Sequence, residues 1–218
     1  MTDTNVERAG RIDTATLSDA LDKLGIAGQC LGIKPLDHSF RLAGRAFTLA
    51  YAPVGNPLGT VGDFIDDVPE GHVVVIDNGG RADATVWGDI LTFCANQRKL
   101  GGTVIDGACR DTHLALELDY PMYSRSYSMR TGKDRVQLEA TQVIVTIGDA
   151  RVCPGDILRG DSDGVIVIPH DREAEVLDAA EAIEAAEARI RNAIASGMRL
   201  DEARKAQQYH LLQRRDAK

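Results

Sequence analysis

The sequence predicts an α/β fold built on one main core, and three observations predict it. The run HVVVIDNGG (72–80) is rich in β-branched residues and ends in turn residues, which is typical of a buried strand. An amphipathic segment (90–99) and a short apolar strand (103–106) follow, and this order is typical of a parallel strand–helix–strand unit. With 218 residues and 44% hydrophobic content, the chain is able to bury such a core.

The N-terminal part of the chain is expected to contain one helix. Residues 1–11 are polar and are expected to be loose. A helix is predicted over 14–24, where Thr16 and Asp19 resemble a capping box and Gly25 is a typical stop. Its apolar positions at helical spacing are Leu17, Leu21 and Leu24.

Further strands are predicted on both sides of the central unit. The segment AFTLAYAP (46–53) alternates enough to be a strand. After residue 121, short apolar stretches are separated by turns, which predicts a β meander rather than a second strand–helix–strand unit. These turns are Gly148-Asp149, Pro154-Gly155 and Asp163-Gly164. The DSDG segment (161–164) lacks the other ligands of a calcium loop and is interpreted as a hairpin turn.

Two helices are predicted behind the β core, over 171–196 and 201–213. The first carries an apolar stripe and ends at Gly197, whereas the second is mostly polar. The stripe consists of Val176, Leu177, Ala180, Ile183, Ile190 and Ile194. We expect one domain overall, with its core at 1–170 and a helical extension at 171–218 that packs at a subunit interface.

The net charge of the chain and the motifs that it lacks argue against several classes of function. A net charge of -8 and a pI near 5.1 argue against binding to nucleic acid or to anionic membranes, because both need a basic surface. No apolar run is long enough to span a membrane, so a soluble cytoplasmic protein is expected. The four cysteines form no Cys-x-x-Cys pair and are expected to be reduced thiols. No zinc-hydrolase, dinucleotide, P-loop or serine-hydrolase motif is present.

The candidate site lies in WGDILTFCANQRKLGGTVIDGACRDT (87–112). Asp111 follows the strand at 103–106, and Asp89 begins the preceding helix, so parallel pairing would place both in neighbouring loops. Carboxylate oxygens suit Mg²⁺ or Mn²⁺, and the fork of Arg110 suits a carboxylate or developing enolate. Two simpler interpretations remain: Arg110 and Asp89 form a structural ion pair while Asp111 caps a turn, or Cys109 beside Arg110 is a nucleophile.

At these residues the sequence resembles the class II pyruvate aldolases of the 4-hydroxy-4-methyl-2-oxoglutarate / 4-carboxy-4-hydroxy-2-oxoadipate aldolase family, which shares its fold with regulator of ribonuclease activity A. The resemblance covers most of the chain, from the helix near Thr14 through PEGHVVVIDNGG, WGDI, GGTVIDGACRD and VCPGDILRGDSDGVIVIP to the trailing helix. Its most specific element is an Asp, twenty intervening residues and Arg-Asp, met here by Asp89, Arg110 and Asp111.

The resemblance implies a layered α/β/β sandwich with a C-terminal helical extension, assembled as a homotrimer or homohexamer with sites between subunits. Asp111 would be the direct protein ligand of Mg²⁺ or Mn²⁺. Arg110 would stabilise the enolate, and Asp89 would orient water. Backbone amides of one turn would receive the carboxylate of a small 2-oxo acid substrate. The residues of this turn are Gly88, Asp89, Ile90 and Leu91. The loop YAPVGNPLG (51–59) and the tail of a partner subunit are expected to select one 2-oxo acid from another.

The implied reaction is retro-aldol cleavage of a 4-hydroxy-2-oxo acid to pyruvate, with oxaloacetate decarboxylation as a side activity. The resemblance also implies a catalytic Glu lent by a neighbouring subunit's C-terminal helix, which we assign to Glu187 with Glu184 as the substitute. A Schiff-base mechanism is not expected, because Lys99 and Lys133 lie in polar surroundings. The alternative function is a non-catalytic regulator that binds a ribonuclease complex.

Overall fold

The computed structural model describes residues 3–212. The strands are β1 (Lys34–Pro35), β2 (Leu42–Pro53), β3 (Val73–Thr85), β4 (Gly102–Cys109), β5 (Met122–Tyr127), β6 (Val136–Thr141), β7 (Val145–Ile147), β8 (Ala150–Val152), β9 (Ile157–Gly160) and β10 (Val165–Ile168). The helices are α1 (Thr4–Arg11), α2 (Thr14–Leu24), α3 (Asp89–Gln97), α4 (Thr112–Glu117), α5 (Glu173–Ala195), α6 (Leu200–Ala206) and α7 (Tyr209–Leu212). One large sheet has the order β1-β5-β4-β3-β2-β9-β10. In addition, β6 pairs with the C-terminal part of β2.

The centre of the sheet is parallel. β2 pairs with β3, β3 with β4 and β4 with β5, all in parallel. The predicted unit β3–α3–β4 is confirmed. The expectation of a meander directly after residue 121 is wrong, because β4–α4–β5 forms a second unit of the same kind. α4 has only six residues, too few to show an apolar period in the sequence.

The remaining strands are antiparallel, as predicted for the hairpins. β7 pairs with β8, and β9 with β10. The first hairpin turns at Gly148, whose φ of 60° favours glycine, and its N–H donates to the Asp106 carboxylate at 2.6 Å. The Thr146 N–H donates to Asp77 at 3.1 Å. Two carboxylates within β3 and β4 therefore hold this hairpin against the sheet.

Alternate side chains of β3 enter two different cores. Val74 and Ile76 pack with residues of α3 and α4, including Ala95, on one face. Val73 and Val75 pack beneath the β7–β8 hairpin on the other. Because helices cover one face and a β layer the other, the expected layered α/β/β architecture is confirmed.

Two expectations about the N-terminal segment are wrong. Residues 4–11 are helical rather than loose, since the Asp3 carboxylate accepts the N–H groups of Asn5 and Val6 and thereby caps α1. The predicted bounds of α2 are confirmed, but its cap is Asp13, which accepts the Thr16 N–H at 2.7 Å, and not Thr16. The stop is confirmed, with Gly25 in the left-handed region at φ 68°.

The long C-terminal helix α5 packs against its own chain. Its apolar stripe meets α1, α2, β9 and β10 in a third core. The α5 residues in this core are Val176, Leu177, Ala180 and Ile183. Contact between this extension and a second subunit stays a prediction. The helix predicted over 201–213 is divided into α6 and α7, and Gln213 lies outside the described residues. Within residues 3–212, no helix is both long enough and apolar enough to cross a membrane.

Arg45 on β2 and Glu173 at the start of α5 form an ion pair between the sheet and this helix. The Arg45 guanidinium donates to both oxygens of Glu173, whose side chain is 5% exposed. Asn5 of α1 donates to the same carboxylate at 2.8 Å. Burial alone would raise the pKa of Glu173, but the hydrogen bonds from Arg45, Asn5 and His170 lower it below its ordinary value.

We expect Glu173→Gln to lower the free energy of unfolding at pH 7 by about 2 kcal/mol, because it leaves the Arg45 charge without its main partner. Since the folded pKa of Glu173 is depressed, the stability from its carboxylate is present above the ordinary pKa and is lost as the pH falls through the folded value. Urea unfolding at pH 7 and at progressively lower pH measures this. The deficit of the variant should shrink on acidification, and a constant deficit would refute the electrostatic origin. Glu184→Gln, on an exposed position of α5, is the matched control.

Candidate functional site

A chain of hydrogen bonds from buried side chains fixes the turn that follows β3. The buried Trp87 indole donates to the Thr92 hydroxyl at 2.9 Å, and that hydroxyl donates to the Gly88 carbonyl at 3.0 Å. Gly88 caps α3 in an extended conformation. Among the residues that the structure describes, the N–H groups of Gly88 and Leu91 have no hydrogen-bond partner. The start of α3 therefore offers free donors to an anion.

The second loop follows β4 and is held beside the first. The Arg110 N–H donates to the Trp87 carbonyl at 2.9 Å, which continues the parallel pairing beyond the strand ends. Asp111 has φ 54°, in the left-handed region that Asp tolerates better than most residues. This conformation turns the chain sharply from β4 into α4. The two Asp-containing loops thus lie side by side, as the sequence predicts.

Three candidate residues meet around one carboxylate oxygen. Asp111 Oδ2 accepts the Asp89 N–H at 3.2 Å and lies 3.3 Å from Arg110 Nε. The side chains of Arg110 and Asp111 are each about a third exposed. The simple interpretation of an Arg110–Asp89 ion pair is not what the structure shows, because the guanidinium lies against Asp111. The Asp89 carboxylate accepts the Ile90 N–H at 2.8 Å through Oδ1.

Gly88 lies at the centre of this group, and only glycine leaves the space that the group occupies. A Cβ atom at position 88 would lie 2.9 Å from Asp111 Oδ2 and 3.2 Å from Arg110 Nε. Its backbone is extended, so the requirement comes from the neighbouring side chains and not from backbone strain. The close approach of the two loops depends on the missing side chain.

A cavity of about 420 Å³ opens over these residues. The polar Gly88 turn and Arg110 line one part of it, and apolar side chains, including the single tryptophan, line much of the rest. Further lining residues are Val136 and those of two segments, of which the first begins at Gly59, the last residue of the YAPVGNPLG loop that is expected to select the substrate. These segments are 59–61 and 131–134. Lys133, set aside as a Schiff-base residue, lies in the second segment and is exposed.

The donor set fits a hard divalent cation that keeps several water ligands. Within residues 3–212, no group of three or more His, Cys, Asp or Glu side chains is arranged to hold a metal. Asp111 Oδ1 and Asp89 Oδ2 have no hydrogen-bond partner in the same range. Oxygen donors from one or two carboxylates, in a partly exposed place, suit Mg²⁺ or Mn²⁺ with water completing the shell. They do not suit zinc, which takes three or four protein ligands that are mostly His nitrogen or Cys sulfur.

The other candidate residues lie elsewhere in the chain. Glu187 on α5 lies 3.3 Å from Arg191 and lines a separate polar cavity, so a single copy of the chain does not bring it to Asp111. Glu184 is exposed on the same helix. Cys109 is fully buried, and burial raises the pKa of its thiol, which argues against a nucleophilic role.

Comparison with known proteins finds one matching family model and several similar proteins. The family model RraA-like, described as Aldolase/RraA, matches residues 14–167. Protein DlpA of Legionella pneumophila is 42% identical over 88% of this chain, but the match spans only 32% of that protein. A protein of Halalkalibacterium halodurans named "Putative 4-hydroxy-4-methyl-2-oxoglutarate aldolase" is 33% identical over 78% of each chain.

Solved structures agree with this assignment. An uncharacterised protein from Pseudomonas syringae superposes with a TM-score of 0.87 at 42% identity, covering 94% of this chain and 98% of the other. RraAS2 of Streptomyces coelicolor, described as an unusual member of the RNase ES inhibitor RraA protein family, superposes with a TM-score of 0.79 at 27% identity, covering 91% and 98%. The sequence match over the α/β core and the shared fold lead to one conclusion: the chain belongs to the RraA-like (Aldolase/RraA) family.

Proposed function

We propose that this protein is a divalent-metal-dependent carbon-carbon lyase that cleaves a 4-hydroxy-2-oxo acid to pyruvate and a second carbonyl compound. Oxaloacetate decarboxylation is its side activity. The observation that carries the proposal is the meeting of Asp89, Arg110 and Asp111 around Gly88 at the edge of a cavity. The Halalkalibacterium halodurans relative, whose name is that of an aldolase acting on a 4-hydroxy-2-oxo acid, supports the same reaction class.

The substrate carboxylate binds at the start of α3. The free N–H groups of Gly88 and Leu91 donate to it, and the positive end of the helix dipole adds to the attraction. This fixes the 2-oxo group next to Arg110 at the cavity edge. Apolar walls then exclude water from the remainder of the substrate.

Bond cleavage next to a carbonyl needs a place for the departing electron pair. Arg110 supplies hydrogen-bond donors to the keto oxygen, where negative charge develops as the bond breaks. Its Nε is kept in place by Asp111 at 3.3 Å. A Mg²⁺ or Mn²⁺ ion held by Asp111 would supply Lewis-acid stabilisation of the same negative charge. Asp89, anchored at the helix start, orients a water molecule through its second carboxylate oxygen.

The active form is a trimer or a pair of trimers. Glu187, or Glu184 in its place, would then act on the substrate bound by a neighbouring copy, since neither reaches the cavity of its own chain. A rival function is that of a non-catalytic regulator that binds a ribonuclease complex, since the similar Streptomyces coelicolor protein RraAS2 is an unusual member of the RNase ES inhibitor RraA family. The three acidic and basic residues at one cavity edge favour the enzyme.

The direct test is to supply oxaloacetate and 4-hydroxy-4-methyl-2-oxoglutarate, with Mg²⁺ or Mn²⁺, and to follow pyruvate with a coupled assay. We expect turnover of at least one substrate that stops on addition of a chelator and returns with the ion. Absence of turnover with either ion would overturn the proposal and favour the regulator.

Asp111→Asn should remove metal-dependent turnover and weaken Mn²⁺ binding in calorimetry while the fold is kept, because Asn also tolerates the left-handed conformation. Asp119→Asn is the matched control: Asp119 is exposed and has a similar φ of 51°, but it lies at the other end of α4. If Asp111→Asn still binds Mn²⁺ as tightly as the original protein, the cation lies elsewhere.

Gly88→Ala should lower kcat/KM at least about tenfold while changing Tm by no more than about 2 °C. The added Cβ lies too close to Asp111 Oδ2 and Arg110 Nε, yet the extended backbone accepts alanine. Gly10→Ala, where a Cβ meets only an ordinary contact of 3.4 Å, is the control. Unchanged kinetics in Gly88→Ala would mean that the spacing of the two loops is not critical.

A further inference from the structure

One wall of the cavity is a glycine-rich loop, VGNPLGTVGD (54–63), that leaves β2 and lies on β6. Gly59, Thr60 and Val61 of this loop line the cavity. The loop contributes no ionisable side chain to that lining, and it does not touch the Asp111 group. Its position therefore affects the shape of the cavity and not its charge.

Gln137 on β6 binds this loop at two places. Its Oε1 accepts the Gly55 N–H at 2.9 Å and the Gly59 N–H at 3.1 Å. Its Nε2 donates to the Glu139 carboxylate at 3.1 Å. Because a carboxylate accepts only from the amide nitrogen, Glu139 fixes which end of the Gln137 amide faces the loop. One side-chain oxygen thus connects both ends of a five-residue stretch.

The glycines of the loop allow this close contact. A Cβ atom at position 59 would lie 2.6 Å from Gln137 Oε1, and one at position 62 would lie 2.4 Å from Leu138 Cδ2. Gly62 also has φ 80°, which favours glycine. Contact with side chains of β6 therefore requires glycine at positions 59 and 62, whereas a Cβ at position 55 would lie at an ordinary 3.8 Å from Gln137 Oε1.

Two further bonds hold the part of the loop that faces the cavity. The Tyr51 hydroxyl donates to the Val61 carbonyl at 2.6 Å, and the Leu138 N–H donates to the Thr60 carbonyl at 2.9 Å. Both act after residue 59. Before residue 55, the Val54 N–H donates to the Arg135 carbonyl at 3.1 Å, and between these backbone bonds Gln137 supplies the hydrogen bonds that join the Gly55–Gly59 stretch to the sheet.

We propose that Gln137 is a positioning residue: by accepting the N–H groups of Gly55 and Gly59 it closes one wall of the cavity and so sets the affinity for the substrate. Gln137 does not line the cavity, so it acts through the loop and not on the reacting atoms. The affinity part of the proposal rests on the proposed function. The attachment of the loop does not, and it is measurable without a substrate.

The wall contacts parts of the substrate that do not react, so it stabilises the bound substrate and the transition state to a similar degree. Gln137→Ala should therefore raise KM about tenfold and change kcat by less than about twofold. Trp87, the single tryptophan, is buried and lines the same cavity, which makes its fluorescence a reporter of the wall. Acrylamide quenching of Trp87 should rise about twofold in the variant.

Two variants make the test specific. Thr141→Ala, exposed on β6 away from the loop, should leave quenching and KM unchanged. The exchange Gln137→Glu with Glu139→Gln keeps an oxygen for the two loop amides and an amide donor beside it, and should restore both values.

Each outcome is decisive. Unchanged Trp87 quenching in Gln137→Ala, or a fall in kcat at constant KM, would overturn the positioning role. Absence of turnover in the original protein would instead overturn the proposed function, while the quenching result would still decide whether Gln137 holds the loop. A lowered Tm with all of these readouts unchanged would show that Gln137 is only structural.

Discussion

The parallel pairing of β3 with β4, continued past the strand ends, is the constraint on which the rest of the site depends. The Arg110 N–H bonds the Trp87 carbonyl where the regular ladder has already ended. Parallel strands point their carboxyl ends the same way, so both loops emerge at one edge. Residues separated by about twenty positions thereby meet within hydrogen-bonding distance. The absence of a side chain at Gly88 then decides how closely they approach.

The fold was predictable where a segment was long enough to show its period. The β-branched run of β3 and the stretch that forms α2 both have clear patterns, and both begin where expected, although β3 continues to Thr85, past the turn residues expected to end it. α4 has six residues and no visible pattern, so the second parallel unit was missed. α1 was missed because its surface is mostly polar and its start depends on one carboxylate at Asp3. One capping side chain is enough to start a helix in a segment whose composition does not predict one.

The proximity of the candidate site residues was more predictable than the shape of the cavity. Asp89, Arg110 and Asp111 lie in adjacent segments of a strand–helix–strand unit, so their proximity follows from the topology. The YAPVGNPLG loop is expected from the sequence to select the substrate, but the position of the wall at 59–61 also involves the Gln137 side-chain amide, 78 residues beyond Gly59. No periodic pattern encodes a contact of that kind. A Glu supplied by a neighbouring copy is harder still to predict from the sequence, because the pattern of the helix does not distinguish Glu184 from Glu187.

β6 pairs with β2 alone, on the outside of the parallel centre. The residues that would perform the reaction and the loop that would select the substrate are therefore separate segments of the chain, and the loop is attached to the sheet through β2 and β6. Substitutions in the loop at 54–63 would leave Asp89, Arg110 and Asp111 in place. In the proposed enzyme, substitutions in this loop would change which substrates bind without changing the chemical step, and protein engineers have the same freedom.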